Sequence, residues 1–198
     1  MAATGPADET TERILDAALA EAAANGVERI TMDAVASRAR VGRMTVYRRF
    51  GSKPELVTAL VGREASRGLA AIDAAVDPSR ELPDRVADGF IATLQVARAH
   101  PLLQRLVRYE PQILIAALND PGDPLMAMLR GFGVAQIHAA GPADGELRAD
   151  PEEIAELLVR IGLSYLLMPT GLIDLDDELA ARRLAETLIA PIVAVDPG

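Results

Sequence analysis

Apolar residues recur at helical spacing along almost the whole chain, and no stretch alternates apolar and polar residues as a strand would. The first run, Ile14, Leu15, Ala18, Leu19 and Ala22, follows Thr10 and Thr11, either of which caps a helix; Asn25-Gly26 ends it. Two short runs come next. Thr31 is the N-cap of a helix with Val35 and Ala36 inward and Arg38 outward, and a second helix from about Gly42 sets Val46 and Phe50 four apart on one face. Arg43, Thr45, Tyr47, Arg48 and Arg49 lie on its other faces. Ser52 and Glu55 form a capping box around Pro54, so a further helix starts at about Lys53 and continues through Leu56, Leu60, Leu69 and Ile72 to Asp77-Pro78. At about 23 residues it spans roughly 35 Å, too long for the small unit it begins in.

Beyond it, prolines punctuate one helix after another: Pro83 to His100, Pro101 to Tyr109, Pro111 to Leu118, Pro124 to Ala140, Pro151 to Met168, and Asp177 to about Ala194. Asp123-Pro124 and Asp150-Pro151 each pair a cap with a first-turn proline, and Gly141 to Ala149 is a loop. The expected fold class is all-α: a disordered tail over 1–9, a three-helix N-terminal domain over 10–52, a connecting helix over 53–78 and a C-terminal helical bundle over 79–198.

Two short helices at an angle, joined by a tight turn, make a helix-turn-helix, whose second helix offers polar side chains to a DNA groove. The amide hydrogens at the start of the next helix, with Lys53 beside them, make a phosphate seat. Charge sharpens this picture. The 198-residue chain carries a net charge of −9, yet residues 27–53 hold seven basic side chains against two acids. An acidic body with one basic surface lets a polyanion approach only there.

Composition narrows the remaining chemistry. There is no cysteine, and the two histidines, His100 and His138, fall near helix C-termini where the dipole favours them, so neither a metal nor a cofactor is expected. Arg130-Gly131-Phe132-Gly133 lies inside a helical pattern with no strand before it and is no phosphate loop. An enzyme is not expected. The N-terminus lacks the basic and apolar regions of a signal peptide and no apolar run reaches a membrane span, which points to a soluble protein of the cytoplasm.

Thr45, Tyr47, Phe50, Ser52, Lys53 and Leu56, with Thr31 and Ala36 upstream, resemble the DNA-binding domain of the tetracycline-repressor (TetR) family. The resemblance covers about the first quarter of the chain. It implies that Arg43, Thr45 and Arg48 approach bases or their flanking phosphates, and that Thr31, Tyr47, Arg49 and Lys53 hold backbone phosphates; Met44 is placed in the same DNA-facing set. The family usually has glycine where this chain has Arg40. A turn there commonly needs a left-handed backbone, so Arg40 is either a phosphate contact that compensates the strain or a solvated substitution.

The helix from Pro151 is amphipathic through Ile154, Leu157, Leu158 and Ile161, then apolar nearly all round to Met168, and must be covered on two sides. One cover is a second copy of the chain, with Leu158, Ile161, Tyr165, Leu184, Leu188 and Ile192 at the dimer interface; the alternative is a central helix in a monomer. Tyr109, Met126, Met128, Phe132, Tyr165 and Met168 concentrate adaptable and aromatic side chains in the C-terminal region, as cavity lining or as ordinary core. The resemblance implies a small-molecule pocket, for which Tyr109, Met126, Phe132, Gln136, Tyr165 and Met168 are the candidates. The expectation is a ligand-responsive repressor acting as a homodimer on a palindromic double-stranded DNA operator, with a small apolar effector and no membrane partner. The rival is a helical ligand-binding protein or enzyme whose helix-turn-helix has lost its DNA role.

Overall fold

The computed structural model describes residues 6–120, 124–140 and 147–193. All of its regular elements among these residues are helices, ten of them α-helical: α1 (Pro6–Asn25), α2 (Met32–Ala39), α3 (Arg43–Phe50), α4 (Lys53–Ala75), α5 (Leu82–Ala99), α6 (Pro101–Tyr109), α7 (Pro111–Asn119), α8 (Pro124–Ala140), α9 (Pro151–Leu167) and α10 (Glu178–Leu184). No described helix is long and apolar enough to cross a membrane. Residues 1–5 of the expected tail over 1–9, the cap Asp123, loop residues 141–146 and Ala194 lie outside the described residues, while residues 6–9 of that tail are helical.

Two helix ends differ from expectation. α1 starts at Pro6, a turn ahead of Thr10 and Thr11, because a proline in the first turn gives up no hydrogen bond that the helix would have made. The last helix does not run on from Asp177 to Ala194. After Leu184 it widens into a π-turn over Ala185–Ile189 and then tightens into a 3-10 turn over Ala190–Ile192. Pro191 explains the break, since it has no amide hydrogen and its ring would collide with the carbonyl four residues earlier in an unbroken α-helix.

The contacts divide the chain into two units. The first comprises residues 6–66 and 101–110, the second residues 67–100 and 111–193. In the first, Ile14, Ala18 and Ala22 of α1 are fully buried with Val35, Val46, Leu56 and Leu60, while Leu19 is only half-buried. α6 joins this unit through Leu102 and Leu106. Its end is anchored by Glu110, whose carboxylate accepts from the Val27 amide at 3.2 Å beside the positive-φ Gly26. Arg105 also donates to the Ala24 carbonyl at 3.2 Å. The Ala24 carbonyl is one of the acceptors that the C-terminus of α1 leaves unpaired, and α6 satisfies it from far along the chain.

The second unit is built on two apolar layers. Phe90, Ile91 and Leu94 of α5 pack with Leu175, Ala181, Leu184 and Ile189, with Ile161 and Tyr165 against them; Ile137, Ile154 and Val193 form the other layer. Phe90 and Tyr165 meet edge to face with centroids 6.0 Å apart. α8 and α9 approach closely at Gly133, where an added Cβ would lie 2.9 Å from that of Ala155. Gly133 therefore serves the packing of α8 on α9.

Candidate nucleic-acid interface

α2 and α3 position the interface. Thr31 caps α2 as expected, its hydroxyl accepting from the Ala34 amide at 3.1 Å. At the other end Arg40 takes φ 54 and ψ 45, and among the described residues it is the sole non-glycine with positive φ. The Arg40 amide donates to Ser37 and the Val41 amide to Ala36, the double bond of a Schellman turn. A side chain that the sequence pattern did not single out supports it: Arg13 of α1 donates to the Ala39 carbonyl at 2.7 Å. The left-handed turn is thus compensated by a guanidinium, but that of Arg13. The Arg40 guanidinium is exposed and makes no hydrogen bond or ion pair among the described residues.

Val46 and Phe50 bury one face of α3 and leave the rest outward. Met44, Arg43, Arg48 and Arg49 are exposed, and Thr45 and Tyr47 are half-buried between them and the core. Arg43 lies over the Tyr47 ring at 5.3 Å, donates to its hydroxyl at 3.4 Å and pairs with Asp33 of α2 at 3.0 Å. The Tyr47 hydroxyl first, and the Asp33 charge second, raise the pKa of this guanidinium. Arg48 and Arg49 have no partner among the described residues. Arg38, by contrast, turns back to Glu21 at 2.6 Å and ties α2 to α1.

The start of α4 is more occupied than the capping pattern implies. Ser52 receives the Glu55 amide at 3.4 Å, but the Glu55 carboxylate accepts from the Ser52 hydroxyl at 2.8 Å and does not reach back to the backbone. It stands over Gly51, whose φ of 65 suits glycine. Lys53 bonds the Glu28 carbonyl at 2.5 Å, which leaves its other two hydrogens to give. The phosphate seat at this helix start therefore shares its space with an acid.

The remaining candidates fall in several environments. Met126, Phe132, Gln136 and Tyr165 are half-buried in the second unit. Met168 is 66% exposed, and Tyr109 belongs to the first unit, where it is 62% exposed under Arg105 and Arg108. Of the dimer candidates, Leu158, Ile161 and Tyr165 pack on their own unit's core, Ile192 is half-buried, and Leu184 is 4% exposed within that core. Leu188 is 59% exposed. Leu157, Leu172 and Leu179 are also outward and were not among the candidates. Asp33 and Arg13 left no periodic signal in the sequence, since each acts across helices.

Residues 14–60 match the family model described as bacterial regulatory proteins, tetR family. The chain is 32% identical over 163 residues to the HTH-type transcriptional repressor KstR of Mycobacterium tuberculosis, covering 80% of this chain and 70% of that one. It is 35% identical over 179 residues to the KstR of Mycolicibacterium smegmatis, covering 80% and 76%. Among solved structures, the transcriptional repressor QsdR of R. erythropolis superposes with a TM-score of 0.63 at 26% identity, over 95% of this chain and 96% of that one.

Proposed function

The chain belongs to the tetR family of bacterial regulatory proteins and is a DNA-binding transcriptional repressor, and on that premise we propose how it works: as a homodimer on a palindromic operator, released when a small molecule enters the second unit. It is a regulator and not an enzyme. The observation that carries the reading is the division of α3, with Val46 and Phe50 buried on one side and Arg48 and Arg49 exposed without partners on the others. A helix docked so firmly presents its cations at fixed positions. Arg43, Thr45 and Arg48 read base edges or their flanking phosphates, and Thr31, Arg40, Tyr47, Arg49 and Lys53 hold the backbone, with Met44 against the groove wall.

Two copies set two reading helices on successive turns of the duplex, which is what a palindromic operator requires. The exposed leucines of the second unit, Leu157 and Leu188, support a covered face there. Met126, Phe132, Gln136 and Tyr165, half-buried in that unit, support an effector pocket; Tyr109 belongs to the other unit. Such a protein works where the chromosome is, in the cytoplasm. The test is a mobility-shift assay on DNA upstream of its own gene at several salt concentrations. Specific binding that weakens steeply with salt is expected. Absence of any specific shift leaves the helical ligand-binding alternative.

A further inference from the structure

The second unit buries a cation without an anion. Arg85 on α5 is 7% exposed, and its Nε makes no hydrogen bond. Its Nη2 has two long contacts to one neutral residue, the Gln136 carbonyl at 3.5 Å and side-chain oxygen at 3.4 Å. No carboxylate lies within ion-pair distance among the described residues. The acids nearest in sequence are engaged or outward: Asp84 and Asp88 pair with Arg80, Asp88 also takes Arg182 at 3.3 Å, and Glu81 is exposed. Asp73 of α4 is held instead by the Gln136 amide at 2.6 Å. Its helix neighbours Leu82 and Val86 pack on Ile137, Ile154 and Val193.

The same chain shows what a compensated buried arginine looks like. Arg63, whose side chain is 9% exposed, has Glu12, Asp16 and Glu64 at 3.1, 2.7 and 2.8 Å. A guanidinium keeps its charge in proteins, and an uncompensated buried charge is among the most destabilising features a core can hold. Arg85 also occupies a position on the inward, otherwise apolar stripe of α5, between Leu82 and Gly89. No carboxylate among the described residues meets it, so its charge is open to an anion from outside the chain.

We propose that Arg85 is the anion seat of the effector site and that the effector is an apolar molecule carrying one carboxylate. The inference rests on the reading of the second unit as the effector-binding unit. A carboxylate accepts two parallel bonds from a guanidinium, which would satisfy Nε and Nη2 together, and Leu82 and Val86, the neighbours of Arg85 on α5, belong to the apolar cluster of Ile137, Ile154 and Val193. Gln136 then has a second role. Its oxygen leaves Arg85 when the carboxylate arrives, and its amide holds Asp73, so occupancy of the seat is felt on α4.

The test uses the full chain and two matched series of straight-chain probes, carboxylates from hexanoate to hexadecanoate and the alcohols of the same lengths. Binding is read by calorimetry and by the shift in thermal unfolding followed by circular dichroism. The wild type should bind its preferred carboxylate about tenfold or more tightly than the matched alcohol. Arg85→Met, which keeps the stem and removes the charge, should erase that preference, and Arg85→Lys should restore part of it. If wild-type protein binds alcohol and carboxylate alike, the pocket stands and the role of Arg85 falls. Retention of the preference in Arg85→Met overturns it equally. If no length of either series binds, the effector-pocket reading goes with it. Should Arg85→Met fail to fold, the wild-type comparison and Arg85→Lys still decide.

Discussion

The Arg43 guanidinium rests 3.0 Å from the Asp33 carboxylate, so a residue proposed to read DNA from α3 is held in the free protein by an acid on α2. Both side chains are exposed, and the pair adds little to stability. Its consequence is for binding: the acid competes with the DNA for the guanidinium. Asp33→Asn should leave thermal unfolding almost unchanged and tighten binding to the operator more than to random DNA. Arg43→Ala should cost the operator about tenfold or more while sparing random DNA, and relax preference at one base position. Competition binding with operator variants reads both. Equal losses on specific and random DNA remove Arg43 from base reading.

Arg40 and Arg13 divide one task. The left-handed Arg40 costs on the order of 1 kcal/mol relative to glycine, and the bond from Arg13 to the Ala39 carbonyl offsets part of it. Arg40→Gly should therefore leave the free protein as stable or up to about 1 kcal/mol more so, while weakening all DNA alike and lowering the salt slope by about one. Arg13→Ala should destabilise by roughly 0.5–1.5 kcal/mol, and by less in the Arg40→Gly background. Urea unfolding of the four proteins measures the coupling. A glycine variant that is clearly less stable contradicts the strain argument.

What could be read from the sequence was whatever is local in the chain. The cap at Thr31, the buried pair Val46 and Phe50, the left-handed position at Arg40 and the full length of α4 are set within a few residues of one another. What escaped was long-range. Glu110 closing the end of α1, Arg13 reaching Ala39 and Asp33 holding Arg43 depend on which helices pack together, and periodicity carries no such information. The end of the last helix was misjudged because the apolar spacing persists through Pro191 while the backbone hydrogen bonds do not. Leu184 and Leu188 share an apolar stripe in the sequence, yet Leu184 is buried while Leu188, within the π-turn over Ala185–Ile189, is exposed.

The pair Arg38–Glu21 makes a pH prediction. The Arg38 hydrogen bond chiefly, aided by Asn25, lowers the Glu21 carboxyl below its ordinary value of 4.5. A lowered pKa in the folded state stabilises above the unfolded value and stops doing so as the pH falls through the folded one. Glu21→Gln should thus be less stable than wild type at neutral pH, with the gap closing below about pH 4. Urea midpoints of both proteins across that range decide it. A gap that does not change with pH would mean that the variant disturbs packing and not charge.

The proposed seam between copies can be tested by separating the outward leucines from the inward ones. A charge placed at Leu188 or Leu157 finds water in a monomer, so it should leave the fold intact and abolish association, because a paired copy would have to bury it without a partner. Leu188→Arg and Leu157→Arg should each sediment as folded monomers at micromolar concentration, with DNA binding weakened since the two half-sites are no longer engaged together. Leu184→Arg should behave differently. It places the charge inside the layer formed with Phe90 and Ile91, and should cost the fold itself several kcal/mol, seen as a lower unfolding temperature before any change in mass. A wild-type protein that sediments as a monomer under the same conditions, or a Leu188→Arg variant that remains a dimer, removes this surface as the seam.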